Sequence, residues 1–143
     1  MIKLLSFLTV MYSGHLFSQN DICKILDTGV FELYEKDKKI GSVYRKNGLQ
    51  IEIYKNETDS TIARYKKIGK CSYSITNYKI SIDLDTITWE VKYDSINKNE
   101  FSFEAHPAFI DLNGYFYNGK IKKKSNHIKK EKILKKFDEL QNK

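Results

Sequence analysis

Apolar and polar residues alternate along most of this chain, and turn signals interrupt the alternation at short intervals. A period of two is the period of a strand, whose successive side chains leave opposite faces. Cys71, Tyr73 and Ile75 oppose Ser72, Ser74 and Thr76. Trp89, Val91 and Tyr93 oppose Glu90, Lys92 and Asp94, and Phe101, Phe103 and Ala105 oppose Ser102 and Glu104. In each case the apolar set is expected on the core. Earlier strands are predicted over residues 30–35, 40–45, 49–54 and 61–67. In the third of these Ile51 and Ile53 face one way, and Gln50 and Glu52 the other. Turns are expected at 36–38, 56–60, Gly69-Lys70 and 97–99. Asn47-Gly48 is the strongest hairpin signal in the chain, because both residue types tolerate positive φ. Residues 78–85 read as extended without clear edges. Residues 115–123 read as one more strand, or as a hairpin if Asn118-Gly119 is a turn and not a bulge.

After residue 124 the period changes. Ile133, Leu134, Phe137 and Leu140 make a stripe at helical spacing. Glu131 and Lys135 stand at a favourable i,i+4 spacing, and Ser125 or Asn126 could cap the helix. The expected fold is therefore all-β. It is an antiparallel barrel or strongly curled meander of about seven or eight strands over 20–123, followed by a C-terminal amphipathic helix within 124–143. Neither a repeat nor a low-complexity linker divides it.

Residues 1–19 depart from this pattern. Lys3 is followed by an apolar run from Leu4 to Tyr12 and then by Ser13, Gly14, Ser18 and Gln19. That is the layout of a bacterial-type export signal, with cleavage expected after Ser18 or Gln19. The run is shorter than the roughly 20 residues a transmembrane helix needs. The protein is thus expected to be exported, either periplasmic or secreted.

Export changes how charge and cysteine are read. The net charge of +7 suggests nucleic acid, but residues 20–119 hold 14 basic and 15 acidic side chains. Residues 120–143 hold 10 Lys against Glu131, Asp138 and Glu139. The basic character belongs to the tail. It is a solvated Lys-rich face or a means of docking on anionic envelope surfaces, and no nucleic-acid partner is expected. In an oxidising compartment the pair Cys23 and Cys71 reads as a disulfide. With Cys71 pointing inward, it would pin the N-terminal segment across an open end of the sheet, with Ile22, Ile25 and Leu26 packing nearby. A lipidated Cys23 is rejected, because Asn20-Asp21-Ile22 is not the small-residue run that processing requires. A catalytic or metal-binding thiol stays open, though neither cysteine has a His or a second Cys at ligand spacing.

Candidate chemistry is sparse. The sequence lacks G-x-S-x-G, H-E-x-x-H and a phosphate-binding Walker loop. Of the histidines beyond the signal, His106 beside Pro107 is expected to be a solvated loop residue, and a general base only if a carboxylate meets it in a cleft. Asp83 and Asp85 share one strand face but lack the further oxygen ligands a calcium site needs. Asn56-Glu57-Thr58 matches a glycosylation acceptor pattern and is read as an ordinary turn. No enzyme activity, metal or cofactor is expected. The aromatics carry more: Tyr73, Trp89, Tyr93, Phe101 and Phe103 fall on inward positions of successive strands. Small closed barrels either fill with such side chains or leave room for one small ligand.

Several motifs in order resemble a family of short exported β proteins from flavobacteria-like bacteria. They are Cys23, then Thr28-Gly29-Val30-Phe31, then Arg45 with Gln50-Ile51-Glu52, then Cys71-Ser72-Tyr73, then a last strand ending in basic residues. The resemblance spans residues 23–123. Where that family often has Trp before the second Cys, this chain has Tyr65 and Ile68, and the Lys-rich helix looks like an addition. The family has no established activity, so the resemblance implies export, a β fold and the cysteine pair, and no chemistry. Some members carry a topoisomerase label, which nothing in this short chain supports. Gly29-Val30-Phe31 is also similar to the G-x-W strand opening of lipocalins, with Phe in place of Trp. The expected function is a non-enzymatic binding module whose inward aromatics, in particular Trp89, Tyr93 and Phe103, contact a small apolar ligand. The alternative is an interaction protein that docks through its basic helix on an anionic envelope surface.

Overall fold

The computed structural model describes residues 21–55, 60–77, 87–108 and 116–142. The expected export signal, the extended stretch expected at 78–85 with Asp83 and Asp85, and all but Ser60 of the turn expected at 56–60 lie outside these residues. Eight antiparallel strands follow one another in chain order and close into a barrel, β8 returning to β1. They are β1 (Gly29–Glu35), β2 (Lys38–Lys46), β3 (Leu49–Tyr54), β4 (Thr61–Lys67), β5 (Ser72–Asn77), β6 (Thr88–Asn97), β7 (Glu100–Pro107) and β8 (Tyr117–Ser125). A short 3-10 helix, η1 (Ile22–Leu26), precedes the barrel, and α1 (Glu131–Gln141) follows it. Closure leaves every strand paired on both sides, so the sheet has no free edge. Among the described residues no helix is long and apolar enough to cross a membrane.

The expected turns act as their residue types dictate. Asn47 and Gly48 both take positive φ, 50° and 76°, and join β2 to β3 in a two-residue hairpin. Lys36 and Asp37 also take positive φ in the β1–β2 turn, a conformation open to Asp but unusual for Lys. Asn118-Gly119 forms neither turn nor bulge. Asn118 and Gly119 pair directly with Glu104 and Phe103 along an uninterrupted β7–β8 ladder. A Cβ at Gly119 would stand 2.6 Å from the Tyr34 carbonyl oxygen and 2.9 Å from the Phe103 ring, so this strand position is open only to glycine. His106 is in β7, not in a loop.

Two cores flank the wall formed by β2 and β3. The barrel interior holds Phe31, Leu33, Val43, Ala63, Tyr73, Ile75, Val91, Tyr93, Phe101, Phe103, Ala105 and Ile121, together with Cys23 and Leu26 from η1. Outside the wall, Tyr44, Leu49 and Ile51 pack against Ile133 and Phe137 of α1. The apolar face of β3 therefore points outward under the helix, and its polar face, Gln50 and Glu52, points into the barrel. The helix begins from Lys130 without a side-chain cap. Ser125 instead bonds to the backbone of His127, accepting from its N–H and donating to its carbonyl.

The two barrel ends differ. At one end η1 lies across the opening, and the Cys23–Cys71 disulfide ties it to the β4–β5 connection, with 5.4 Å between the Cα atoms. Tyr73 donates its hydroxyl to the Cys23 carbonyl and to Asp27. Lys123 of β8 donates to the carbonyls of Ile25 and Thr28, both at 2.6 Å. The other end carries the β1–β2 turn and is where the interior meets solvent.

Candidate functional site

The interior is filled in its closed half and hollow in its open half. At the boundary stands Arg45, 1% exposed. A buried cation must be compensated by hydrogen bonds and favourable electrostatics, and Arg45 has both. Its Nε donates to Gln50 Oε1 at 2.7 Å, Nη1 to the Leu26 carbonyl at 2.8 Å, and Nη2 to the Tyr93 hydroxyl at 2.7 Å. The rings of Phe31, Tyr65, Tyr73 and Tyr93 surround the guanidinium with centroids 5.0–5.6 Å away, within cation–π range. No carboxylate of the described residues lies within ion-pair distance of it. The Leu26 bond joins this floor to η1, so Arg45 holds the plug and closes the cavity at once.

Above this floor opens a cavity of about 730 Å³. Its walls are Leu33, Ile40 and Val43 from β1 and β2, Ile75 from β5, Trp89, Val91 and Tyr93 from β6, Phe103 and Ala105 from β7, and Tyr117 and Ile121 from β8. The lining continues to Glu35, Lys38 and Lys55, which are exposed, so the cavity reaches solvent at this end. Its volume lies within the several hundred Å³ usual for small-molecule pockets, and its wall is mixed, with Lys39, Thr61 and Asn77 among the polar residues that border it. A small β-barrel of this form fits a binding module.

β3 supplies the polar groups. Gln50 lies opposite Arg45 in the β2–β3 register, which explains their bond. The Gln50 carbonyl faces Arg45, so its amide nitrogen is left to donate to Glu52 Oε1. Tyr54 donates its hydroxyl to Glu52 Oε2 at 2.6 Å. Arg45, Gln50, Glu52 and Tyr54 thus form one hydrogen-bonded row along the inner wall. Tyr117 faces the same space. Its hydroxyl pKa is raised, first by burial and then by the negative charges of Glu35 and Glu52.

The five aromatics expected to meet a ligand separate into two groups. Trp89, Tyr93 and Phe103 line the cavity. Tyr73 and Phe101 are fully buried and do not line it. Tyr73 contacts Tyr93 edge-on, with ring centroids 5.7 Å apart, and its hydroxyl serves η1. Period-two reasoning places all five on the inner face but cannot give their height along the barrel axis. It also missed Arg45, Gln50 and Glu52 as site residues. The available signal was the polar set of β3 opposed to an apolar set that the C-terminal helix could cover.

The chain matches no protein-family model, no curated protein and no solved structure. The remaining candidates are accounted for locally. His106 Nε2 lies 3.5 Å from Glu90 Oε2, but both side chains are about half exposed and neither lines the cavity. Asp21, Cys23 and Cys71 lie close enough to share a metal ion. Here the two sulfurs are bonded to each other, and the Asp21 carboxylate accepts from the Cys23 N–H and from Lys67. A more open groove at the closed end, bordered by Lys24, Lys98, Lys123 and Lys124, has its most buried amine, Lys123, already bonded to two carbonyls.

Proposed function

We propose that the protein is an exported, non-enzymatic binding module that holds a small apolar ligand inside its barrel. The observation that carries this reading is the cavity of about 730 Å³ lined by Trp89, Tyr93 and Phe103. Covering the apolar part of this wall with hydrocarbon is favourable by about 25 cal/mol per Å² of apolar surface removed from water. The sealed floor at Arg45 and the disulfide-tied plug keep the walls in place without ligand, which lowers the ordering cost of binding. The disulfide is also compatible with an exported protein.

Trp89 is the chain's single tryptophan and it lines the cavity, so it reports directly on occupancy. The test is titration with a neutral fluorescent probe, N-phenyl-1-naphthylamine, read by energy transfer from Trp89. Saturation at one probe per chain is expected, with loss of binding in Ala105→Trp, which fills the cavity. Absence of saturable binding by the wild-type protein would remove the reading.

A second reading is electrostatic docking on an anionic envelope surface. It is favoured by the way α1 lies on the barrel. With Ile133 and Phe137 against the outer wall, Lys129, Lys132 and Lys135 are left exposed. Its test is co-sedimentation with phosphatidylglycerol vesicles at low and high salt. Salt-reversible binding that disappears when these three lysines become Glu would support it, and equal sedimentation of both forms would remove it.

A further inference from the structure

We propose that the ligand of this cavity carries a protonated amine on an apolar body, seated with the ammonium on Glu52 and the body against Trp89, Phe103 and Tyr117. This rests on the cavity being the binding site, and adds the ligand's chemical class.

Two charged side chains of the inner row could select a ligand, and they are not equally available. Arg45 is enclosed by four rings and donates three hydrogen bonds to protein acceptors. Arg45 borders the cavity but is 1% exposed, so it offers an anion almost no surface. Glu52 is only partly buried and lines the cavity. Each of its oxygens accepts one bond, from Gln50 and from Tyr54. An ionised carboxylate has about four acceptor positions, so roughly half of its capacity is left. No Lys, Arg or His nitrogen of the described residues lies within 4 Å of it.

The bond pattern points the same way. Gln50 gives its carbonyl to Arg45 and its amide to Glu52, which transfers the influence of the buried cation without bringing it to the carboxylate. Tyr117 faces the same space, and its hydroxyl, raised first by burial, is raised further by Glu35 and Glu52. Aromatic faces beside a carboxylate suit a cation, which gains from the ring quadrupole as well as from the charge. Glu35, Lys38 and Lys55 all stand at the exposed rim, where solvent and salt screen them, and Lys39, which also borders the cavity, is paired with Glu32 at 2.6 Å.

Three probes with one body separate the possibilities: 4-phenylbutylamine, 4-phenylbutanol and 4-phenylbutyrate, titrated at pH 7 into the full chain by calorimetry. The amine is expected to bind at least ten-fold more tightly than the alcohol, and the acid more weakly than both. In Glu52→Gln the amine's advantage should fall to near unity while the alcohol's affinity stays the same. Retained alcohol binding also reports that the variant is folded. Glu35→Gln, at the rim, should keep the preference. If the alcohol binds and the amine shows no advantage, the amine assignment fails and the cavity reading stands. If the acid binds best, or Glu52→Gln keeps the amine preference, the assignment of Glu52 fails. If none of the three binds, the cavity reading and this inference fail together.

Discussion

Arg45 and Gln50 face each other across the β2–β3 ladder, and Arg45 Nε donates to Gln50 Oε1 at 2.7 Å. This contact fixes the orientation of the Gln50 amide and therefore what Glu52 receives. It also divides the barrel. Below it, Arg45 reaches the Leu26 carbonyl of the plug, and above it the inner row leads through Glu52 and Tyr54 toward the open end.

Removing the guanidinium should destabilise the fold more than an ordinary surface change. Arg45→Met leaves the Leu26 carbonyl, Gln50 Oε1 and the Tyr93 hydroxyl without their donor in a buried place. Each loss costs about 1–3 kcal/mol, partly offset by the charge no longer being buried. We expect a net decrease of about 3 kcal/mol in unfolding free energy, measured by urea. Arg45→Lys keeps the charge but not the three-way geometry and should recover less than half of this. Wild-type stability in Arg45→Met would show that the floor is not held by this residue.

The disulfide should matter to the whole fold and first to one end of it. Cys23 and Cys71 are 48 residues apart, and cross-linking a loop of that length is worth about 4 kcal/mol by loop-closure entropy. A Cys23→Ser, Cys71→Ser double variant is expected to lose stability on that scale. Amide exchange should rise in η1 before it rises in β3 or β6. Uniform acceleration across all strands would contradict a local role for the plug.

Stability should fall on the alkaline side. Burial raises the Tyr73 hydroxyl well above its ordinary 10.0, aided by its hydrogen bond to Asp27 and the charge there. Tyr65 and Tyr117 are raised as well, each mainly by burial. Above pH 10 the unfolded chain releases these protons while the folded chain keeps them, so the unfolded state binds fewer protons and stability decreases as pH rises. Below pH 10 the contribution is fully present. Urea midpoints from pH 8 to 11.5 should show this decline, and Tyr73→Phe should make it shallower while costing about 1 kcal/mol at pH 8 from its lost hydrogen bonds. An unchanged slope in Tyr73→Phe would contradict the assignment.

Much of this architecture was legible in the alternation of residues such as Cys71, Tyr73 and Ile75, because period two and turn chemistry are local properties. The pairing of Cys23 with Cys71 across an end of the sheet was legible as well, from cysteine count and facing. What local pattern could not supply was position along the barrel axis. Tyr73 and Trp89 have the same inward facing, yet one is in the sealed floor and the other lines the cavity. Nor could it say which face of β3 is inner, since Ile51 beneath a helix and Ile51 in a barrel core give the same sequence. The turn or bulge considered at Asn118-Gly119 was read from composition, whereas the glycine answers to a close approach by Tyr34 and Phe103.

That ambiguity in β3 makes α1 a structural part of the barrel and gives a last prediction. The helix covers Tyr44, Leu49 and Ile51 on the outer wall with Ile133 and Phe137, and Lys136 reaches Ser60 at the start of the next strand. Phe137 is fully buried, so Phe137→Ala should cost about 3 kcal/mol, the scale of a large-to-small core change. Truncation after Asn126 should go further and leave an apolar patch on a closed barrel, which is a surface for self-association. Light scattering is expected to show concentration-dependent oligomers for the truncated chain and none for the full chain. The cavity opens at the barrel's end, away from this wall, so probe binding read through Trp89 should persist in Phe137→Ala. Its loss there would mean that the outer helix and the inner row are coupled through β3, with Ile51 and Gln50 moving together.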